Sequence, residues 1–193
     1  QANMDLLEEG ILYVAEFDET GVNWNPLVYG EGPLTEANGF ANQADVCLDT
    51  RKAADLVGAT PMDRPEDVEV NPVTGSVFAM LTKSPDRQSD DLNPVNPRPE
   101  NRGGHILELI PPNGDHRADR FDWEMFLLGG SPDAEGSSYH PDTTENGWLA
   151  CPDNCAFDNF GNIWIATDGA YEYGIADGVW AAPVSGPNRG KPK

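Results

Sequence analysis

An internal repeat is the sequence feature that most restricts how this chain can fold. Residues 65–82 read PEDVEVNPVTGSVFAMLT, and residues 152–168 read PDNCAFDNFGNIWIATD. Each segment has a proline, an acidic residue, an Asp or Asn, three alternating residues, a turn that ends in glycine, and then an apolar run. This pattern predicts two strands joined by a tight turn. Glu66 and Asp153 take equivalent positions, 87 residues apart.

The rest of the chain also favours β-structure. Apolar runs at 10–17, 68–70 and 105–110 each lead into turn residues, which predicts strands. Twenty Gly and 17 Pro argue against long helices, because both residues break them. A segment at 49–58, which ends in Gly58, could form two helical turns. The polar segment 84–102 predicts a long loop, which in a compact domain is either functional or mobile.

The repeat predicts an all-β fold, specifically a β-propeller. The spacing of 87 residues corresponds to about two blades at roughly 40 to 50 residues each. Loops that enter the innermost strands of a propeller converge at one mouth of the central channel. Glu66 and Asp153 would then face each other across that channel. The alternative is that both acids only favour turns before strands.

The charge of the chain excludes two classes of partner. There are 33 Asp and Glu residues against 12 Lys and Arg, which gives a formal net charge of -21. Nucleic acids and anionic membranes bind basic surfaces, so neither is an expected partner. No apolar run approaches the roughly 20 residues that cross a bilayer. The acidity fits either solubility in a salty medium or a collection of carboxylates for hard cations such as calcium.

Three cysteines, Cys47, Cys151 and Cys155, have neither a CxxC pair nor a histidine at zinc-finger spacing. A structural zinc site is therefore not expected. Buried thiols and a disulfide between Cys151 and Cys155 both remain open, because the disulfide depends on how closely the backbone approaches.

The run GATPMDRPED at 58–67, with TRKAAD at 50–55 before it, resembles the signature of the PhoX alkaline phosphatases. The resemblance continues in family order through nearly the whole chain. Its further segments are GILYVA at 10–15, WNPL at 24–27, NPRPEN at 96–101, GHI at 104–106, PDN at 152–154, GNIW at 161–164, TDG at 167–169 and GPNRGK at 186–191.

The resemblance implies an exported β-propeller, periplasmic or extracellular, that hydrolyses small-molecule phosphate esters with Ca2+ and Fe3+ at the channel mouth. By this resemblance Glu66 is a metal ligand and Arg64 holds the phosphoryl group. The residue types suit these roles. Carboxylate oxygens bind hard cations, and a planar guanidinium can donate two parallel hydrogen bonds to a phosphoryl group. No Ser-His-Asp arrangement is then needed.

Other residues follow from the repeat and the motif positions. Asp153 and Asn154 are the next predicted metal ligands, and His105, at the start of a strand, is expected to be structural. Further candidates for contact with the site are Asp168, Glu100, Asn101 and Arg102. The alternative for Asp168 is a turn after a strand, and the alternative for the other three is a role in holding the loop together.

The resemblance also sets the extent of the fold. Members of the family are several hundred residues long, so residues 1–193 would supply three to four blades of a single larger propeller domain, from its middle-to-late part. No separate second domain is expected. The metal-binding cysteine of the family has no match in Cys47, so the rest of the propeller, as further sequence or as another chain, would complete the metal centre.

Two other functions remain open. One is a non-catalytic propeller that calcium stabilises, in a surface or assembly role. The other is a lactonase-like hydrolase, because PDN followed by GNIW also occurs in calcium-dependent sugar-lactone hydrolases. Arg64 beside Glu66 favours phosphate over a lactone.

Overall fold

The computed structural model describes residues 10–193, so the first nine residues of the predicted domain lie outside the description. The described chain is mostly β, with antiparallel strands and only short helices, as the turn-rich sequence predicts. None of the described helices has the length and apolar character needed to span a membrane. The chain divides into two compact units at Pro61 and Met62.

The first unit contains a β-hairpin followed by two short helices. Strand β1 (Tyr13–Phe17) pairs with β2 (Gly21–Pro26) across a turn that Asp18 closes by accepting the amide of Gly21 at 2.9 Å. Helix α1 (Gln43–Leu48) was not predicted, whereas α2 (Thr50–Leu56) confirms the helical turns expected at 49–58. The buried core of this unit consists of Leu27, Leu34, Phe40, Val46 and Ala53.

The second unit contains two antiparallel sheets. Its strands are β3 (Pro65–Val70), β4 (Val77–Leu81), β5 (His105–Ile110), β6 (Arg120–Leu128), β7 (Pro152–Phe157), β8 (Ile163–Thr167) and β9 (Val179–Ala182). Strands β3 to β6 lie side by side in chain order, and β7 to β9 form a separate three-stranded sheet. The strands predicted at 68–70 and 105–110 are confirmed.

The core of the second unit lies between these sheets. Phe78 of β4 is fully buried and meets the rings of Phe126 and Phe157 edge-on, at centroid distances of 5.2 and 5.3 Å. Met80, Ile106, Ile163 and Ile165 belong to the same buried cluster.

The two repeat segments form the first hairpins of successive sheets, β3–β4 and β7–β8. Only strands β3 to β6 lie between the start of one segment and the start of the other. The interval of 87 residues therefore contains four neighbouring strands, the number in one blade, and the predicted two blades were wrong. The additional length lies in segments 82–104 and 129–151, whose β-structure is limited to isolated bridges.

Candidate active site

Both repeat segments begin with the same unusual backbone conformation. Arg64 precedes the proline of β3 with φ of 50°, and Cys151 precedes the proline of β7 with φ of 55°. The carbonyl of Arg64 accepts the amide of Thr82 at 3.1 Å, and the carbonyl of Cys151 accepts the amide of Asp168 at 3.1 Å. Non-glycine residues seldom adopt positive φ, so its occurrence at equivalent positions indicates a backbone that its surroundings hold in place.

Each segment then has a β-bulge at its acidic residue. The register of β3 against β4 shifts at Glu66, and the register of β7 against β8 shifts at Asp153. In both strands the acid is the residue without a partner on the neighbouring strand. Bulges of this kind redirect a side chain away from the regular alternation. The equivalence of Glu66 and Asp153 in the sequence is thus an equivalence of backbone geometry.

The charged side chains near these bulges influence one another. Partial burial raises the pKa of the Asp153 carboxyl, and the negative charges of Glu66 and Asp168 raise it further. A hydrogen bond from Thr82 and the charge of Arg64 act in the opposite direction. Strands β3 and β7 also lie in contact, since the amide of Cys155 donates to Oδ2 of Asp67 at 2.8 Å. The structure therefore brings together four of the predicted residues, Arg64, Glu66, Asp153 and Asp168. We call this group the acidic rim.

Arg64 and Glu66 form an ion pair within the acidic rim. Nη2 of Arg64 lies 2.9 Å from Oε1 of Glu66, and the two side chains are 59% and 33% exposed. A guanidinium has five N–H donors, so this contact leaves donors with which Arg64 can bind an anion. Asn154, which follows the bulged Asp153, is exposed on β7.

Three further candidates, Glu100, Asn101 and Arg102, belong to the end of the polar loop and not to the acidic rim. Glu100 and Arg102 are exposed and line a small pocket with Ser137 and Tyr173. Asn101 is buried, and both ends of its side-chain amide are bonded within the protein. The structure thus places Asn101 as a support of the loop.

A buried polar cluster supports the acidic rim, and the sequence analysis did not identify it. Asp63, Arg87, Asn101 and His105 are each less than a tenth exposed and are linked by hydrogen bonds. His105 is structural, as predicted, and its burial lowers its pKa to about 4. The sequence features that could have indicated this cluster are Asp63 in the 58–67 motif and Arg87 in a loop with few apolar residues.

The three cysteines are free thiols. Cys151 is buried and Cys155 is half-buried, whereas Cys47 is exposed, contrary to the buried thiol that was one expectation. Burial raises the pKa of Cys151 to about 11 and that of Cys155 to about 12. Both are therefore protonated near neutral pH and are poor metal ligands in that form.

Carboxylates are the donors that the acidic rim offers to a cation, and they suit hard ions. Within residues 10–193, no cluster of three or more His, Cys, Asp and Glu side chains has the arrangement to hold a metal ion. The acidic rim is therefore suited to supply some, but not all, of the ligands of a metal ion.

Known proteins resemble this chain in both sequence and fold. The family described as alkaline phosphatase PhoX matches residues 1–185. The solved structure of Pseudomonas fluorescens PhoX in complex with vanadate, a transition state analogue, is 32% identical and superimposes with a TM-score of 0.85. The match covers 99% of this chain and 36% of the Pseudomonas chain, so this chain spans about a third of that protein's length. No curated protein matches the sequence.

Proposed function

Because this chain belongs to the PhoX alkaline phosphatase family, we propose that the protein containing it is a metal-dependent hydrolase of phosphate monoesters. The observation that carries the proposal is the acidic rim, in which two bulged carboxylates and an exposed Arg lie together. The vanadate bound by the Pseudomonas relative supports a phosphoryl group as the ligand. The activity is proposed for the intact protein, since this chain covers only 36% of that relative.

The proposed fold is a partial β-propeller to which residues 1–193 contribute as part of one domain. The described residues form nine strands, so at four strands a blade they supply fewer blades than the three to four predicted from the spacing. The repetition of the bulged hairpin at the start of successive sheets supports this arrangement. In such a fold the starts of β3 and β7 would face the central channel, and their acids would line its mouth.

We propose that Glu66, Asp153 and Asn154 are metal ligands, with Asp168 as a further candidate. The raised pKa of Asp153 supports this assignment, because a bound cation would offset both the burial and the neighbouring negative charges that oppose ionisation of this carboxyl. Oxygen donors of this kind suit Ca2+ and Fe3+. Calcium takes about 6 to 8 oxygen ligands, so the remaining donors would come from elsewhere in the protein or from water. Such ions, when bound, supply polarisation of the phosphoryl oxygens and a more acidic water.

Arg64 is the proposed catalytic residue of this chain. Its guanidinium is exposed and can donate two parallel hydrogen bonds to a phosphoryl group. These bonds would strengthen as negative charge develops on the phosphoryl oxygens in the transition state. Glu66, which accepts a hydrogen bond from Arg64 at 2.9 Å, would orient the guanidinium. The phosphoryl group held by Arg64 would then lie beside the metal ion bound by the Glu66 carboxylate.

The remaining proposals concern substrates and location. The substrates would be small phosphate esters in the periplasm or outside the cell, and Glu100 and Arg102 could contact the part of the ester beyond the phosphate. The net charge of -21 is consistent with the absence of nucleic acid as a partner.

The test is phosphate release from p-nitrophenyl phosphate by the intact protein, with calcium and iron supplied. We expect Glu66→Ala to abolish turnover, and removal of calcium with a chelator to do the same. Glu69→Ala is the matched control, because Glu69 is an exposed acid on the same strand beyond the bulge.

Full activity in Glu66→Ala would disprove the site assignment. A folded, metal-saturated protein without turnover would instead favour a non-catalytic propeller. Hydrolysis of sugar lactones in place of phosphate esters would favour the lactonase-like alternative.

A further inference from the structure

Asp63, the residue immediately before Arg64, has a fully buried carboxylate. One carboxylate oxygen accepts a hydrogen bond from Nε of Arg87, and the other accepts one from the side-chain amide of Asn101 at 2.8 Å. The backbone amide of Asp63 donates to Oδ1 of Asn96 at 3.0 Å. Both oxygens and the backbone amide of one residue are therefore bonded to protein partners.

All three partners belong to the polar loop 84–102. The loop closes on itself where the amide of Ser84 donates to the carbonyl of Asn101 at 2.6 Å and the amide of Glu100 donates to the carbonyl of Arg87 at 2.9 Å. The loop buries Val95 completely, and Asp63 adds three hydrogen bonds to this packing. Of the two roles expected for this loop, a fixed functional element fits these bonds better than a mobile one.

The second repeat segment shows that this charged support is not needed to form the turn. The position equivalent to Asp63 is Ala150, which is buried with Cys151 and Ala170 in a small apolar cluster. Cys151 nevertheless has the same positive φ as Arg64. The backbone thus adopts this conformation without a buried charge beside it, and a buried carboxylate next to Arg64 calls for another explanation.

We infer that Asp63, held by Arg87 and the loop 84–102, is a positioning residue that fixes Arg64 for binding the phosphoryl group. This inference rests on the proposed function and extends it to the support of the site. Two constraints meet at Arg64, since its own carbonyl is bonded to Thr82 and the residue before it is bonded at three points. A residue held in an unusual backbone conformation presents its side chain in a restricted direction.

The inference is tested by combining Asp63→Asn with Arg64→Ala in the intact protein. If Asp63 acts through Arg64, Asp63→Asn should lower kcat/KM for p-nitrophenyl phosphate about tenfold or more and weaken competitive inhibition by inorganic phosphate to a similar extent. In the Arg64→Ala background the same change should cause no further loss, because the positioned group is absent. Asp86→Asn, an exposed Asp of the same loop, is the matched control and should match the unaltered protein.

An equal loss in both backgrounds, or no loss in either, would overturn the inference. Asp63→Asn leaves the Arg87 charge buried without its partner, which destabilises the fold. The Asp63→Asn, Arg87→Gln double variant keeps the polar contacts without a buried charge, and the same non-additivity is expected of it.

A second measurement separates this inference from the proposed function. The backbone amide of Thr82 donates to the carbonyl of Arg64, so its hydrogen exchange reports how firmly Arg64 is held. If the unaltered protein has no turnover, the proposed function fails. Faster exchange at Thr82 in Asp63→Asn, with unchanged exchange in Asp86→Asn, would still support the positioning role. Unchanged exchange in both variants would overturn it.

Discussion

In the first repeat segment the left-handed residue, Arg64, follows a buried carboxylate, whereas in the second segment Cys151 follows the buried methyl group of Ala150. The Arg64 side chain is 59% exposed, while Cys151 is 0% exposed. The two backbones share the positive φ before proline, the bulged acid and the same closing hydrogen bond. The same backbone conformation therefore occurs in two different environments. In the first segment it presents a cation to solvent, and in the second it closes an apolar core.

The largest expected effect concerns the point where the two segments meet. Gly104 has φ of 69°, and a Cβ there would overlap the carbonyl oxygens of Thr82 and Leu81 and lie 2.7 Å from Cδ of Pro152. Gly104→Ala should therefore destabilise the protein by about 3 kcal/mol or more, from steric overlap added to the positive φ. Urea unfolding of the intact protein measures this free energy.

Gly114→Ala is the control for Gly104→Ala. Gly114 has φ of 71°, but a Cβ there would have no atom within 4 Å. It should cost only about 1 to 2 kcal/mol, from the backbone conformation alone. Equal costs for the two variants would show that close approach of the segments is not what selects glycine at 104.

The second prediction concerns the polar support of the first segment. His105 has a folded-state pKa of about 4 because it is buried, and in the unfolded chain the pKa is the ordinary 6.5. Between pH 6.5 and about 4, His105 binds a proton in the unfolded chain but not in the folded protein. The free energy of unfolding should therefore fall as the pH is lowered through this range. The difference corresponds to about 3 kcal/mol.

Unfolding free energies of the unaltered protein and His105→Gln, compared at pH 7 and pH 4, test this prediction. The variant should be less stable at pH 7, because it loses the buried ring, but its stability should fall less on acidification. An identical fall in both proteins would show that the pKa of His105 does not differ between the folded and unfolded states.

The smallest effect concerns the turns of the two hairpins. Asn71 is buried and accepts the amide of Val73 at 2.8 Å, while the equivalent Asp158 is more exposed and accepts the amide of Phe160 at 2.9 Å. Asn71→Ala should cost about 1 to 2 kcal/mol, because it removes a buried side chain that accepts two backbone amides of the turn. Asp158→Ala should cost less, since water can replace the carboxylate. Thermal unfolding of the two variants decides the order, and a larger cost for Asp158→Ala would reverse the comparison.

Local patterns in the sequence predicted much of the fold. Alternating residues, a Gly that ends a turn and a proline before an acid specify hairpins because each acts within a few residues of chain. The equivalence of Glu66 and Asp153 was visible for the same reason. The number of strands between these two residues could not be predicted. Sequence spacing alone does not show how many of the intervening residues form strands and how many lie in the long segments 82–104 and 129–151.

The support of the site was harder to predict than its charged residues. Asp63 is linked to Arg87 and Asn101, which lie 24 and 38 residues further along the chain. No periodicity marks such contacts, and Asp, Asn and Arg in a loop usually face solvent. Asn101 was therefore a candidate for the site, and in the structure its side chain is buried and bonded to Asp63 and Gly104.

The central claim is that the two segments share a backbone while only the first presents a catalytic side chain. The most direct test is phosphate release from p-nitrophenyl phosphate by the intact protein carrying Arg64→Ala or Cys151→Ala, with folding checked by thermal unfolding. We predict that Arg64→Ala lowers turnover about 10² to 10³-fold without loss of fold, as expected for removal of a donor to the transition state. Cys151→Ala should retain turnover close to that of the unaltered protein. Full activity in Arg64→Ala, or an equal loss in a folded Cys151→Ala, would contradict the claim.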